Sequence, residues 1–204
     1  MKKSVMFLAL AMSLPAVADD AGQLKAKLDA IAGLKADFEQ QVTDINGKLI
    51  QQGSGELALA QPNRFYWHLQ QPDESVIVAD GKDVWIYNPF AEEVSVLALE
   101  NAIAASPMTL LVRRDEASWA RYNITLDKEC FQIAPKTEEA GVQQVSVCFK
   151  DNTLTRLALK DTQGNFSQFN LSGQQPLTDS DKRLFQFELP EGGSIDDQRP
   201  GREG

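Results

Sequence analysis

Residues 52–89, QGSGELALAQPNRFYWHLQQPDESVIVADGKDVWIYNP, decide the fold. Turns at Ala60-Gln61-Pro62-Asn63, Gln71-Pro72-Asp73-Glu74 and Ala79-Asp80-Gly81-Lys82 divide the stretch into four β-branched and aromatic runs, the pattern of an antiparallel meander. With Asp80-Gly81 as a two-residue hairpin loop, Val78 opposes Asp83, Ile77 opposes Val84 and Val76 opposes Trp85. Both faces of this hairpin are then apolar. Val76, Val78, Trp85 and Tyr87 lie on one, and Ile77, Ala79, Val84 and Ile86 on the other, whereas a sheet with one wet face would alternate apolar with polar. Something must cover each side.

Outward from this block, residues 34–42 alternate as a half-buried strand, with Leu34, Ala36, Phe38 and Val42 inward. Asn46-Gly47 turns the chain into a strand over 49–60, where Gly53 and Gly55 mark a bend in a curling sheet. Before these, Leu24, Leu28 and Ile31 form one stripe of a helix starting at Asp20, and Gly33 is placed to stop it. After the meander comes a strand over 92–97. A small-residue helical turn follows over 102–105, and Ser106-Pro107 opens a second short helix carrying Met108, Leu110, Leu111 and Val112. Helices this short need a surface to lie on, so this segment is either a permanent plug at one end of the sheet or a movable lid. Strands resume at Tyr122 and run through Ile124, Phe131, Val145, 154–159 and 166–171. Thr178-Asp179-Ser180-Asp181 caps a helical turn with Lys182-Arg183-Leu184, and a final strand holds Phe185, Phe187 and Leu189 before a polar tail after Gly192 that is expected to be loose at its end. About ten short strands with short helices predict one curved antiparallel sheet or barrel with helices on one side.

Lys2 and Lys3, the apolar run 5–14 and Pro15-Ala16-Val17-Ala18 make a secretory leader, so residues 1–18 are expected to be cleaved and 19–204 to form one exported domain in the periplasm. The chain has 20 Lys+Arg against 29 Asp+Glu, net −9, and about −11 without the leader lysines, which argues against nucleic acid and anionic lipid as partners. Cys130 and Cys148 fall opposite each other in a hairpin centred near residue 139, both on its polar side. In an oxidising compartment they are expected to form a disulfide, with two free thiols as the alternative.

Catalytic and metal-binding patterns are missing. The single histidine, His68, would need a positioned nucleophile and an orienting acid to be catalytic; no nucleophile elbow is present, and it reads as a surface strand residue. No H-E-x-x-H or C-x-x-C occurs, and Gly53-Ser54-Gly55 belongs to no phosphate loop, so neither a metal nor a cofactor is expected and the protein is read as no enzyme. Three sequons, at Asn123, Asn165 and Asn170, are coincidence behind a bacterial-style leader. Excess apolar surface on a curled sheet, an apolar lid and an export signal suit carriage of something hydrophobic through water.

Gln52-Gly53-Ser54-Gly55-Glu56-Leu57, Gln61-Pro62-Asn63-Arg64-Phe65-Tyr66-Trp67-His68, Gln71-Pro72-Asp73-Glu74 and Trp85-Ile86-Tyr87-Asn88-Pro89-Phe90 closely resemble the LolA family of outer-membrane lipoprotein carriers, and the likeness extends to both ends of the mature chain. It implies an unclosed antiparallel β-barrel of ten or eleven strands with a lid of short helices over an apolar cavity. It implies a periplasmic monomer that takes acylated lipoproteins from an inner-membrane ABC exporter to an outer-membrane receptor. The acyl-chain cavity is expected at Phe38, Phe65, Trp67, Val78, Trp85, Val96, Met108 and Leu111, and the lid at Ala102, Ile103, Pro107, Met108, Leu110, Leu111 and Val112. An arginine that latches the lid in the family is here Gln61, with Arg64 and Arg113 as possible substitutes. The alternatives are a carrier or sensor of the same fold for other lipids and a periplasmic sugar-acting enzyme.

Overall fold

The computed structural model describes residues 19–102, 111–113, 115–137 and 141–201; the expected leader and lid residues Ile103, Pro107, Met108 and Leu110 lie outside them. Helix α1, Asp20–Asp29, starts where the Asp19 carboxylate accepts the Gly22 N–H at 2.7 Å. Its stripe buries Leu24 and Leu28. Lys27 near its end donates to the Asp151 carbonyl at 2.6 Å and lies over the Phe149 ring, which ties the helix across the sheet. The helix closes at Ala30, not at the expected stop, Gly33. Gly33 instead begins a strand, where a Cβ would stand 2.8 Å from Leu177 Cδ1, so its lack of a side chain serves a close approach.

Strands β1, Gly33–Thr43; β2, Leu49–Ala60; β3, Arg64–Gln71; β4, Ser75–Asp80; β5, Asp83–Asn88; and β6, Glu93–Ala98, form the first half of the sheet. Two short helices follow, α2 at Leu99–Ala102 and α3 at Glu116–Trp119. Then come β7, Tyr122–Asp127; β8, Cys130–Pro135; β9, Val142–Lys150; β10, Thr153–Asp161; and β11, Phe166–Pro176. A 3-10 helix, Asp179–Phe185, and a last strand, β12, Ser194–Asp197, complete the order. The described strands make one twelve-stranded sheet, β12-β6-β5-β4-β3-β2-β1-β11-β10-β9-β8-β7. Its end strands β12 and β7 do not pair with each other, so the expected unclosed barrel is present. All pairs are antiparallel except β12 with β6.

Curvature has local causes. A Cβ at Gly53 or Gly55 would land on the carbonyl oxygens of Gln71 and His68, and the β2–β3 register shifts between Ser54 and Gly55. The two glycines therefore permit the tight bend expected of them.

Three expectations need correction. The β4–β5 register is offset by two: Val78 opposes Trp85 and Ala79 opposes Val84. The Asp80 carboxylate accepts the Lys82 and Asp83 amides, both at 2.8 Å, so the loop is Gly81-Lys82, with Gly81 at φ +105°. Because the offset is two and not one, each side chain keeps its face. Secondly, residues Phe187 and Leu189 belong to no strand, and Phe185 ends the 3-10 helix. Thirdly, the tail after Gly192 returns as β12, which makes twelve strands instead of ten or eleven. Its polar sequence carries no apolar period, and it is held by pairing to β6 and by Arg199, which bonds Asp197 and, at 2.8 Å, the buried Asp83. Of the helical turn read at 102–105 only Ala102 is among the described residues, where it ends α2, and α3 has no counterpart in the sequence reading.

Candidate functional site: the inner apolar face

The strand registers sort the central block into an inner and an outer face. Leu59 pairs with Phe65, Phe65 with Ala79 and Ala79 with Val84, so these share the inner face; Trp67 and Leu57 pair one step further along it. Phe38 joins them from β1 opposite Gly55, whose missing side chain leaves room for the ring. Phe38 stacks on Trp67 at 4.0 Å between centroids, Phe65 lies 6.1 Å from Trp67, and Phe169 of β11 stands edge-on to both Phe38 and Trp67. Ring pairs in these geometries add to area burial.

The structure closes this face with the chain's own helical segments. Leu24 and Leu28 of α1, Leu99 and Ala102 of α2, and Leu111 and Val112 join the inner side chains in one buried cluster, each at most 7% exposed. No described polar side chain bonds into the cluster of rings at Phe38, Phe65 and Trp67. It offers dispersion and water exclusion and no chemistry.

Of the expected cavity residues, Phe38, Phe65, Trp67 and Leu111 are brought together here, and Met108 lies outside the described residues. Val78, Trp85 and Val96 are not with them. Tyr66 pairs with Val78, Val78 with Trp85 and Trp85 with Val96, which puts all three on the outer face. A different cover lies there: the ring of Phe187 stacks on Trp85 at 5.3 Å and 11° and leans on Tyr87. The two apolar faces thus have two covers, helices inside and the 3-10 helix with residues 186–189 outside. Sequence reasoning passed over Phe169, which was visible as an inward position of an alternating strand.

Gln61 holds helix α1. Its side-chain amide lies 3.3–3.4 Å from the carbonyls of Leu28, Asp29 and Ile31, at and just past the helix C-terminus. Neither candidate substitute takes that place. Arg64 is exposed on the outer face, in register with Asp80. Arg113 donates to the Asp115 carboxylate at 2.6 Å. Partial burial pushes the Asp115 carboxyl up, but the donors Arg113 and Ser118 outweigh it and hold it down to about 2. That pair builds the N-terminus of α3, since Asp115 also caps Ser118 N–H at 2.8 Å. Exchanging Gln61 for arginine is expected to add a charge-assisted donor at the α1 terminus. Slower amide exchange in Leu28, Ala30 and Ile31 and at Ala102 and Leu111 of the empty protein would be the result; equal protection in both proteins would show that residue 61 latches nothing.

His68 faces outward, with Nε2 2.8 Å from the Glu74 carboxylate, and among the described residues no cluster suited to a metal occurs.

The family model described as Outer membrane lipoprotein carrier protein LolA matches residues 29–188. The chain belongs to the LolA family. The outer-membrane lipoprotein carrier protein of Shewanella woodyi is 59% identical over 197 residues, covering 94% of this chain and 95% of that one. Its counterpart in Shewanella sediminis is 56% identical over 203 residues, with 98% of each chain covered. Among solved structures, an uncharacterized conserved protein from Thermus thermophilus superposes with a TM-score of 0.51 at 10% identity, covering 88% of this chain and all of that one, a likeness of fold alone. Membership in the LolA family makes the protein a lipoprotein carrier and not an enzyme.

Proposed function

We propose that this LolA-family chain receives acylated lipoproteins from an inner-membrane ABC exporter, shields their acyl chains on the inner face around Phe38, Phe65, Trp67 and Leu111, and delivers them to an outer-membrane receptor across the periplasm. The observation that carries the reading is the continuous apolar inner face, covered not by another sheet but by short helical segments. α2 has four described residues, and a helix of that length does not hold itself together in water unaided. Such covers come off at small cost compared with what replaces them. A 16-carbon chain moved from water to an apolar site gains on the order of 12 kcal/mol at about 0.8 kcal/mol per methylene. An acyl chain that displaces Leu28, Leu99 or Leu111 from the aromatic floor therefore exchanges one apolar partner for another. The leader at residues 1–18 supports export, and no helix among the described residues is long and apolar enough to cross a membrane. Energy for extraction enters through the exporter, and release rests on differential affinity between carrier and receptor.

Mass spectrometry of what copurifies with the protein from the periplasm tests this. Acylated lipoproteins are expected. Recovery of free fatty acids or phospholipids in their place would transfer the reading to a carrier of other lipids.

A further inference from the structure

The outer face holds a second, chemically different site. Between the β3–β4 end of the sheet and the 3-10 helix lies a cleft of about 660 Å³, lined by Arg64, Lys82 and Lys182 above Trp85, Phe185 and Phe187. The size suits a segment of a few residues. Three separate pieces of chain supply the cations: Arg64 opens β3, Lys82 sits in the β4–β5 loop and Lys182 comes from the 3-10 helix. All three are exposed. In a chain with 20 Lys+Arg against 29 Asp+Glu, such a convergence stands against the prevailing sign.

The cleft's own carboxylate, Asp80, offsets only one of these three charges and leaves the rim net positive. Asp80 accepts the amides of Lys82 and Asp83 at 2.8 Å each and the Trp85 indole N–H at 3.1 Å, so its oxygens are committed to holding the loop and the ring. Lys182 meets Asp179 at 2.8 Å, but both side chains are largely in water, where such a pair holds weakly. The lining is aromatic: Trp85 and Phe187 stack on each other within 11° of parallel, and the Arg199 guanidinium lies 5.8 Å from the Trp85 ring. A rim of positive charge over stacked rings matches an extended segment that carries carboxylates and an aromatic side chain.

We infer that this cleft is a docking site for an acidic, aromatic-containing peptide segment of a partner protein, with Arg64, Lys82 and Lys182 pairing its carboxylates and Trp85 and Phe187 receiving its ring. The site is on the opposite side of the sheet from the acyl-binding face, so a partner can hold the carrier here while the inner face is loaded or empty.

The test uses the whole mature protein and a synthetic pentapeptide of four glutamates around a central tyrosine, capped at both ends. Titration is followed by NMR at the Trp85 indole, identified by its loss in Trp85→Phe. Expected is saturable movement of that signal, weakened by added salt, with affinity at least tenfold lower in Arg64→Gln/Lys82→Gln, whose exposed positions leave the fold intact. Equal affinity in the double variant overturns the inference. Inorganic phosphate that moves the indole as the peptide does would reduce the site to a simple anion site and overturns it too. Cosedimentation of wild type, but not of the double variant, with phosphatidylglycerol vesicles would reassign the cleft to a lipid surface. Because none of these readouts involves acyl chains, failure here leaves the cargo site untouched.

Discussion

Phe65→Glu is expected to abolish lipoprotein transfer. Phe65 is fully buried, paired with Leu59 and Ala79 on the inner face and 6.1 Å from Trp67. An ionised carboxylate there must be desolvated in the closed empty form and again under an acyl chain. Several kcal/mol oppose both, and at about 1.4 kcal/mol per factor of ten that lowers cargo affinity by a hundredfold or more. The carboxylate escapes by holding the helical cover off, not by undoing β2, β3 and β4, whose ladders do not use the side chain. Far-ultraviolet circular dichroism should therefore stay near wild type while transfer from exporter-containing vesicles disappears. Phe65→Leu, which keeps the site apolar, should retain most of the activity. Unimpaired transfer by Phe65→Glu would remove the acyl chains from this face.

The faces of the central hairpin were legible because side-chain direction in a strand has period two, and an error of two in the β4–β5 register leaves every residue on its side. The register itself depended on how Asp80 spends its carboxylate. Asp80-Gly81 is a good hairpin loop by composition, yet an Asp that accepts the amides of Lys82 and Asp83 belongs before the loop and not in it. Which apolar face looks inward was not legible. Val78, Trp85 and Val96 are as apolar as Phe65 and Trp67, and the direction of curl is a property of the whole sheet.

The C-terminal segment shows the opposite limit. Phe185 and Phe187 alternate like a strand because a strap crossing an apolar sheet face also turns alternate residues down, with no ladder beneath it, while Leu189, next in the alternation, is exposed. Strand β12 has no such period; Ser194, Asp196 and Asp197 pair with β6 by backbone, and Arg199 clamps Asp197 and Asp83. Among the buried rings of the inner face, Phe38, Phe65 and Trp67 could be read from alternation. The role of Gln61 at the end of α1 could not, since it depends on where the helix lies.

Replacing Cys130 and Cys148 together by serine should lower stability by about 3 kcal/mol without disabling the carrier. The two residues are direct partners in the β8–β9 ladder, bridged over a sequence separation of 18, and no free cysteine occurs among the described residues. Without the bridge the unfolded chain regains the freedom of that loop. For a domain of this size the melting temperature should fall by roughly 6–12 °C. Transfer should survive because the bridge and the inner wall are on opposite sides of these strands. Phe131, Ile133, Val145 and Val147 are buried in the core cluster, whereas the sulfurs lie on the other side, with Arg156 Nη2 at 3.3 and 3.4 Å. The ladder bonds of β8, β9 and β10 remain, so at moderate temperature the inner wall keeps its shape. Thermal melting of the double variant, and its lipoprotein transfer measured well below that transition, separate the two roles. A folded variant that fails to transfer would show that the bridge shapes the site and does more than hold the chain together.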